Sequence, residues 1–145
     1  MAPRGFFSAS HLALSFPGKR LLADLSFTLQ PGLTLLRGGE GRGKTSVLGL
    51  IAGRLLPSAG AVQRAVESIY LETPADPSHD DVLARAWLDA RRSAFTDGWQ
   101  ATVEADLIDR FGLAVHIDKP MFMLSTGSRR KVGLVASAAS GAALT

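Results

Sequence analysis

The sequence predicts an α/β fold in which a small antiparallel β unit leads into a strand–loop–helix core and then into a helical subdomain. Three observations carry that reading. Apolar residues alternate with polar ones at Leu12, Leu14 and Phe16, and again at Leu25, Phe27 and Leu29, the period of strands. A glycine-rich run from Gly38 to Gly43 separates two apolar stretches. From Pro74 onward the apolar residues recur at helical spacing.

Composition bounds the class. The chain has 145 residues, about one domain's worth. Hydrophobic residues make up 46% and charged residues 20%, a globular balance with material for a core. The net charge of +3 is too small to argue for a nucleic-acid partner without a basic stripe. There is no cysteine, which excludes disulfides and thiolate metal sites. His11, His79 and His116 show no metal-ligand spacing. Arg4-Gly5-Phe6-Phe7 resembles the start of a signal peptide, but Ser8, Ser10 and His11 interrupt it and no small-residue cleavage site follows. It reads as the lead into a first strand. No window reaches the length of uninterrupted apolar chain that a membrane span needs.

The elements follow in order. Leu12, Leu14 and Phe16 share one face of a strand, and Pro17-Gly18-Lys19-Arg20 turns it into a second, with Leu25, Phe27 and Leu29 alternating against Ser26 and Thr28. Pro31-Gly32 turns the chain again, and Leu33 to Leu36 reads as a short buried strand. Gly38-Gly39-Glu40-Gly41-Arg42-Gly43-Lys44-Thr45 then fits G-x-x-x-x-G-K-[ST], the phosphate-binding loop. Its glycines let backbone N–H groups converge on an anion, because positive φ costs glycine little. A helix starting near Lys44 and running from Ser46 to Leu55 adds its positive dipole end. Lys44 reaches the β- and γ-phosphates and the Thr45 hydroxyl ligates Mg²⁺ in this motif.

Beyond Pro57-Ser58-Ala59-Gly60, Ala61 to Val66 and Ser68 to Leu71 read as short strands, and Pro74 and Pro77 break the pattern. His79-Asp80-Asp81 places acids at a helix start, with Leu83 and Trp87 one turn apart. Thr96 or Asp97 caps the next helix, whose apolar stripe is Trp99, Val103 and Leu107 with Ile108 and Phe111 beside it, and Gly112 suits its stop. Both tryptophans, Trp87 and Trp99, read as core anchors, with adenine stacking as the alternative. Ser125 is a good N-cap for a helix through Val132, whose first N–H groups can receive an anion, though taken alone the stretch reads as a capped helix with Arg129, Arg130 and Lys131 solvated. The tail turns into a buried strand at Ala143-Leu144-Thr145.

The loop at 38–45 and Leu124-Ser125-Thr126-Gly127-Ser128, 80 residues on from Lys44, now stand in one chain. Together they resemble the ATP-binding subunit or domain of ABC transporters, whose signature is L-S-G-G-Q. Leu21 to Pro31 also resembles that family's L-x-x-V-S-F-x-[LV]-x-P-G lead-in. The L-S-T-G-x-R-R-K form is similar to small bacterial ATP-binding subunits, the heme-exporter type among them.

The resemblance implies a P-loop NTPase core of ABC ATPase type, with ATP and Mg²⁺ as ligands. It implies that Phe16 stacks on adenine in place of the usual tyrosine. Gly38, Gly39, Glu40, Gly41, Arg42, Gly43, Lys44, Thr45 and Ser46 hold the nucleotide, with Lys44 catalytic and Thr45 on Mg²⁺. Ser125, Thr126, Gly127 and Ser128 contact the γ-phosphate held by a second ATP-binding subunit, identical or not. The helical part docks on a transmembrane transporter subunit, which places the protein at the cytoplasmic face of the membrane.

Three departures stand against the family pattern. Thr126 and Ser128 replace a glycine and a glutamine of the signature. Glu72 and Thr73 stand where a glutamine is expected, and Glu72 is the acidic candidate for Mg²⁺ there. The apolar strand ending in Asp-Glu, which completes Mg²⁺ coordination and activates water, is missing, as is the switch histidine. Asp106 and Asp109 precede the signature and do not replace that pair.

The expected organisation is a nucleotide-binding core with the β unit at 1–73, a helical subdomain with the signature at 74–135, and the return to the core at 136–145. The chain reads as the N-terminal part of an ABC ATPase with an incomplete core, an open strand edge and marginal solubility. Its function reads as binding MgATP, and in the full-length parent hydrolysing it, to drive a membrane partner. The alternatives are a catalytically inactive nucleotide-binding or regulatory module, and another P-loop enzyme such as a small-molecule kinase with Arg129-Arg130 in a lid.

Overall fold

The computed structural model describes residues 7–66, 68–72 and 76–145. The lead-in at 4–6 and the expected boundary at 73/74, with Thr73 and Pro74, lie outside the described residues. The chain forms two compact units that divide between Ile69 and Tyr70, with Leu144 returning to the first.

In the first unit β1 (Phe7–Phe16), β2 (Lys19–Leu29) and β3 (Ala59–Arg64) form an antiparallel sheet of order β2-β1-β3. The β1–β2 hairpin pairs Phe7 with Leu29 and Phe16 with Lys19, turning at Pro17-Gly18. Its register shifts between Ala9 and Leu12, where β1 carries two residues against the single Ser26. His11 takes up the extra residue at φ 51°, and Asp24 does so on β2 at φ 55°, a backbone region that His and Asp tolerate better than most. The bulge changes which parity of β1 faces inward: Phe7 and Ala9 are buried before it, Leu12 and Leu14 after it. Phe16, expected on the face of Leu12 and Leu14, lies at the hairpin end and is 47% exposed.

The core of this unit is Phe7, Leu12, Leu14, Leu29, Val47, Leu50 and Ile51. Its helix, α1 (Lys44–Ile51), is shorter than the expected 46–55 span. Gly53 turns left-handed at φ 74°, and the N–H groups of Arg54 and Leu55 both close on the Gly49 carbonyl. Arg64 of β3 then takes the last helical carbonyls, with Nε donating to Ile51 at 2.9 Å and Nη2 to Leu50 at 2.5 Å. The expected strand at Leu33–Leu36 is not formed. The segment is irregular, and Leu33 and Leu35 are 100% and 73% exposed. A strand exists only beside another, and no described strand pairs with this one. The expected strands at 68–71 and 143–145 reduce to one parallel bridge between Ile69 and Leu144.

The second unit is helical: α2 (Ala84–Ala94), α3 (Ala101–Arg110) and α4 (Thr126–Ala139), with 3₁₀ turns at Pro77–His79 and Met121–Met123. Trp87, Leu88, Leu113, Met121, Val132, Val135 and Ala136 form its core. Leu83 precedes α2 and is exposed, so it does not share the burial of Trp87. Neither Thr96 nor Asp97 caps α3: the helix starts after Gln100, and the Thr96 hydroxyl donates back to the Ser93 carbonyl at 2.9 Å. Gly112 does stop α3, at φ 65°. Among the apolar stripe of α3 sits a buried acid. Glu104 accepts the Trp99 indole N–H at 2.7 Å and Arg92 Nη2 at 2.8 Å. No helix of the described residues is long and apolar enough to cross a membrane.

Candidate nucleotide site

The glycine-rich loop lies in the first unit, immediately before α1. Gly41 at φ 69° and Gly43 at φ 84° are both left-handed, and Gly43 is the residue before the helix, its carbonyl receiving the Val47 N–H at 2.9 Å. A side chain at Gly43 is strained by its φ and crowded as well, since a Cβ would sit 3.1 Å from Leu21 Cγ. No acid occupies the first turn of α1, so its N–H groups and dipole are uncompensated and open to an anion.

Lys44 folds back over the loop. Its ammonium donates to the Gly38 carbonyl at 2.8 Å and the Gly39 carbonyl at 2.6 Å. An open cleft of ≈ 370 Å³ is lined by Leu21, Glu40, Gly41, Arg42, Gly43, Lys44, Thr45 and Ser46. Of the predicted loop residues, Glu40 to Ser46 thus come together around one concavity, while Gly38 and Gly39 are not in its lining. The lining fits a phosphate chain: helix N–H groups, two left-handed glycines and two cations. Its one acid is Glu40. Among the described residues no cluster of three or more His, Asp or Glu could hold a metal alone. Leu21, the apolar wall, was not read from the sequence as a site residue, and nothing short of the hairpin register points to it.

Phe16 is not among the residues that line this cleft. Ser125, Thr126, Gly127 and Ser128 belong to the second unit. Ser125 caps α4 as expected: its Oγ accepts the Ser128 N–H at 3.1 Å and donates to Ser128 Oγ at 3.0 Å. Thr126 and Gly127 are exposed, and a Cβ on Gly127 would meet nothing closer than Ser125 Oγ at 3.9 Å. Glu72 also lies in this unit. It accepts the Tyr70 hydroxyl at 2.5 Å, and its Cγ would stand 2.9 Å from a Cβ on Gly133 of α4. Burial and the neighbouring Glu72 carboxylate push the Tyr70 phenol well above its ordinary pKa. Arg129 is spent within the unit, with Nη1 on the Asp80 carboxylate and Nη2 on the Asp76 carbonyl at 2.6 Å.

Residues 22–145 match the ABC transporter family, most of the chain and both units. The chain belongs to the ABC transporter family. The ATP-binding part of that family binds nucleotide, generally with Mg²⁺, works with transmembrane partners and commonly dimerises. Family relatives include the cytochrome c biogenesis ATP-binding export protein CcmA of Hyphomonas neptunium, 34% identical over 134 residues, covering 86% of this chain and 63% of the relative. CcmA of Pseudomonas syringae is 32% identical over 144 residues, covering 89% and 66%. The zinc import ATP-binding protein ZnuC of Halorhodospira halophila is 32% identical over 128 residues, covering 83% and 46%. The chain thus spans less than two thirds of the length of these curated relatives. Among solved structures, an ATP-binding cassette of an ABC transporter superposes with a TM-score of 0.67 at 17% identity, covering 95% of this chain and 66% of that one. The ATP-binding subunit of another gives 0.61 at 17% identity, covering 90% and 60%. These likenesses establish the fold as that of ABC ATPase domains.

Proposed function

We propose that the chain is the nucleotide-binding portion of an ABC transporter ATP-binding subunit, taking MgATP at Gly38–Ser46 to drive a membrane partner. The observation that carries this is the loop itself: two left-handed glycines, the bare start of α1 and the Lys44 ammonium meet at one cleft. In this reading Lys44 and the loop N–H groups hold the phosphates. The Thr45 hydroxyl would help hold a Mg²⁺ ion, which would supply charge neutralisation for the phosphates. Phe16, half exposed at the end of β1, is the residue proposed to stack on the base.

The start of α4 is proposed to face the terminal phosphate of a nucleotide on a second ATP-binding subunit. Because the Ser125 hydroxyl already bonds Ser128, the exposed N–H groups of Thr126 and Gly127 are the freer donors there. Glu72 is the weaker site candidate. Its bond to Tyr70 and its fit against Gly133 suit it to holding α4. The setting proposed is a heme-exporter type of subunit, peripheral on the cytoplasmic face of the membrane, and the 32–34% identity to two CcmA proteins supports it.

The kinase reading loses support from Arg129, which is 16% exposed and bonded to Asp80 and the Asp76 carbonyl rather than free to close over a ligand. Calorimetric titration of MgATP into the chain and its Lys44→Ala variant tests the proposal. Binding by the parent that the variant loses supports it. Absence of binding by the parent overturns it.

A further inference from the structure

We propose that Arg42 is a second phosphate cation of the loop, one that contacts the terminal phosphate and gives the site its preference for nucleoside triphosphate over diphosphate. The inference rests on the nucleotide reading above and deepens it.

Lys44 is already committed. An ammonium has three donors, and two of them point at the Gly38 and Gly39 carbonyls at 2.8 and 2.6 Å. One donor is left for a phosphate unless those bonds break. Arg42 is placed differently. It stands between the two left-handed glycines, at the turn that aims the loop N–H groups. A Cβ on Gly38 would lie 3.9 Å from Arg42 Cβ and equally close to Lys44 Cγ and Cδ, and one on Gly39 would lie 3.8 Å from Arg42 Cγ. The two cationic side chains therefore flank the same Gly38–Gly39 backbone, and both line the cleft. Arg42 is exposed, and its guanidinium has no hydrogen-bond or ion-pair partner among the described residues.

Charge gives that guanidinium a task. Glu40 lines the same cleft, and a carboxylate there repels the phosphates. The inner phosphates are met by the loop N–H groups and the α1 dipole, whose influence ends within the first turn. The terminal phosphate sits farthest out and carries the most charge. A planar five-donor fork takes two of its oxygens at once, which a point-charge ammonium does not. A diphosphate lacks that group and gains little from Arg42.

Titrating MgATP and MgADP separately into the parent chain, Arg42→Ala, Arg42→Lys and Glu40→Gln tests this. Arg42→Ala should weaken ATP roughly fivefold, the scale of an exposed charge contact, and ADP less than about twofold. Arg42→Lys should restore part of the ATP affinity, and Glu40→Gln should tighten ATP more than ADP. Equal loss for the two nucleotides, or no change in either, overturns the role of Arg42 while leaving the nucleotide site standing. If the parent chain binds neither nucleotide, the site reading itself falls and this inference with it. Circular dichroism of each variant separates lost binding from lost fold.

Discussion

Arg64 donates its Nε proton to the carbonyl of Ile51 at 2.9 Å, so a β3 side chain closes the far end of the helix whose near end begins with Lys44. Helix carbonyls at a C-terminus need partners, and a cation there also suits the dipole. Arg64→Met keeps much of the stem and removes both bonds. It should cost about 1–3 kcal/mol in urea unfolding, the range for hydrogen bonds to a charged group. Nucleotide affinity measured well below the melting temperature should fall much less than in Lys44→Ala.

Gly60 lies opposite the β1 bulge with φ 89°, and a Cβ there would stand 2.4 Å from the His11 carbonyl oxygen. Backbone cannot retreat as a flexible side chain can. Gly60→Ala should therefore be severely destabilising, by more than about 3 kcal/mol in denaturant melting. Gly18→Ala, with φ 76° but nothing within 4 Å, should cost clearly less.

Glu104 is the buried hinge-pin between α2 and α3, holding the Trp99 indole and Arg92 together. Glu104→Ala leaves an indole N–H unpaired and a guanidinium short of its partner. A fully buried pair would cost more, but Arg92 is half exposed, which scales the expected loss to about 2 kcal/mol. Tryptophan emission should shift to longer wavelength on the same transition.

Acid sensitivity has identifiable sources. A hydrogen bond from Arg85 holds the Asp118 carboxyl below its ordinary pKa, and bonds from Ser78 do the same for Asp76. A depressed folded-state pKa means the unfolded chain takes up the proton at higher pH. The stability these groups add is thus complete above about pH 4, their unfolded value, and is lost as pH falls through the lower folded value. Urea midpoints followed from neutral pH into acid should drop below that point, and Asp118→Asn should make the drop shallower. An unchanged acid limb in the variant would remove Asp118 from the account.

Ser125→Ala removes the one side-chain cap at the start of α4, and should cost about 1 kcal/mol of stability. Ser125→Asp, which keeps an acceptor for the Ser128 N–H, should recover most of it.

What could be read from the sequence was local. The turn of Gly41 and Gly43 into Lys44, the Ser125 cap and the Gly112 stop each depend on residues within about one helical turn, and each stands where it was expected. Leu33–Leu36 misled because an apolar run does not carry its own sheet partner. The expected span of α1 overran the left-handed turn at Gly53, and the partner of its last carbonyls, Arg64, lies 13 residues beyond Ile51. Alternation through β1 concealed the bulge at His11, whose extra residue appears only against Ser26 of the neighbouring strand. At the site, the loop motif announced its own lining, but not Leu21, nor that Lys44 rests on Gly38 and Gly39. Glu104 was hidden by its neighbours, since an acid within an apolar stripe reads as solvated until its two donors are located.

The irregular hairpin has a bearing on self-association. In the order β2-β1-β3, β2 is an outer strand with one side unpaired among the described residues, the side on which a foreign chain would template itself. Extra residues at Leu21 and around Asp24, the latter left-handed, break its row of amide and carbonyl groups into uneven segments. Lys19, Arg20 and Asp24 add charge along it. A strand so kinked gives no flat ladder for a second copy to extend, so bulges on β2, separate from the β1 bulge that turns Leu12 and Leu14 inward, guard this margin against fibril-like stacking.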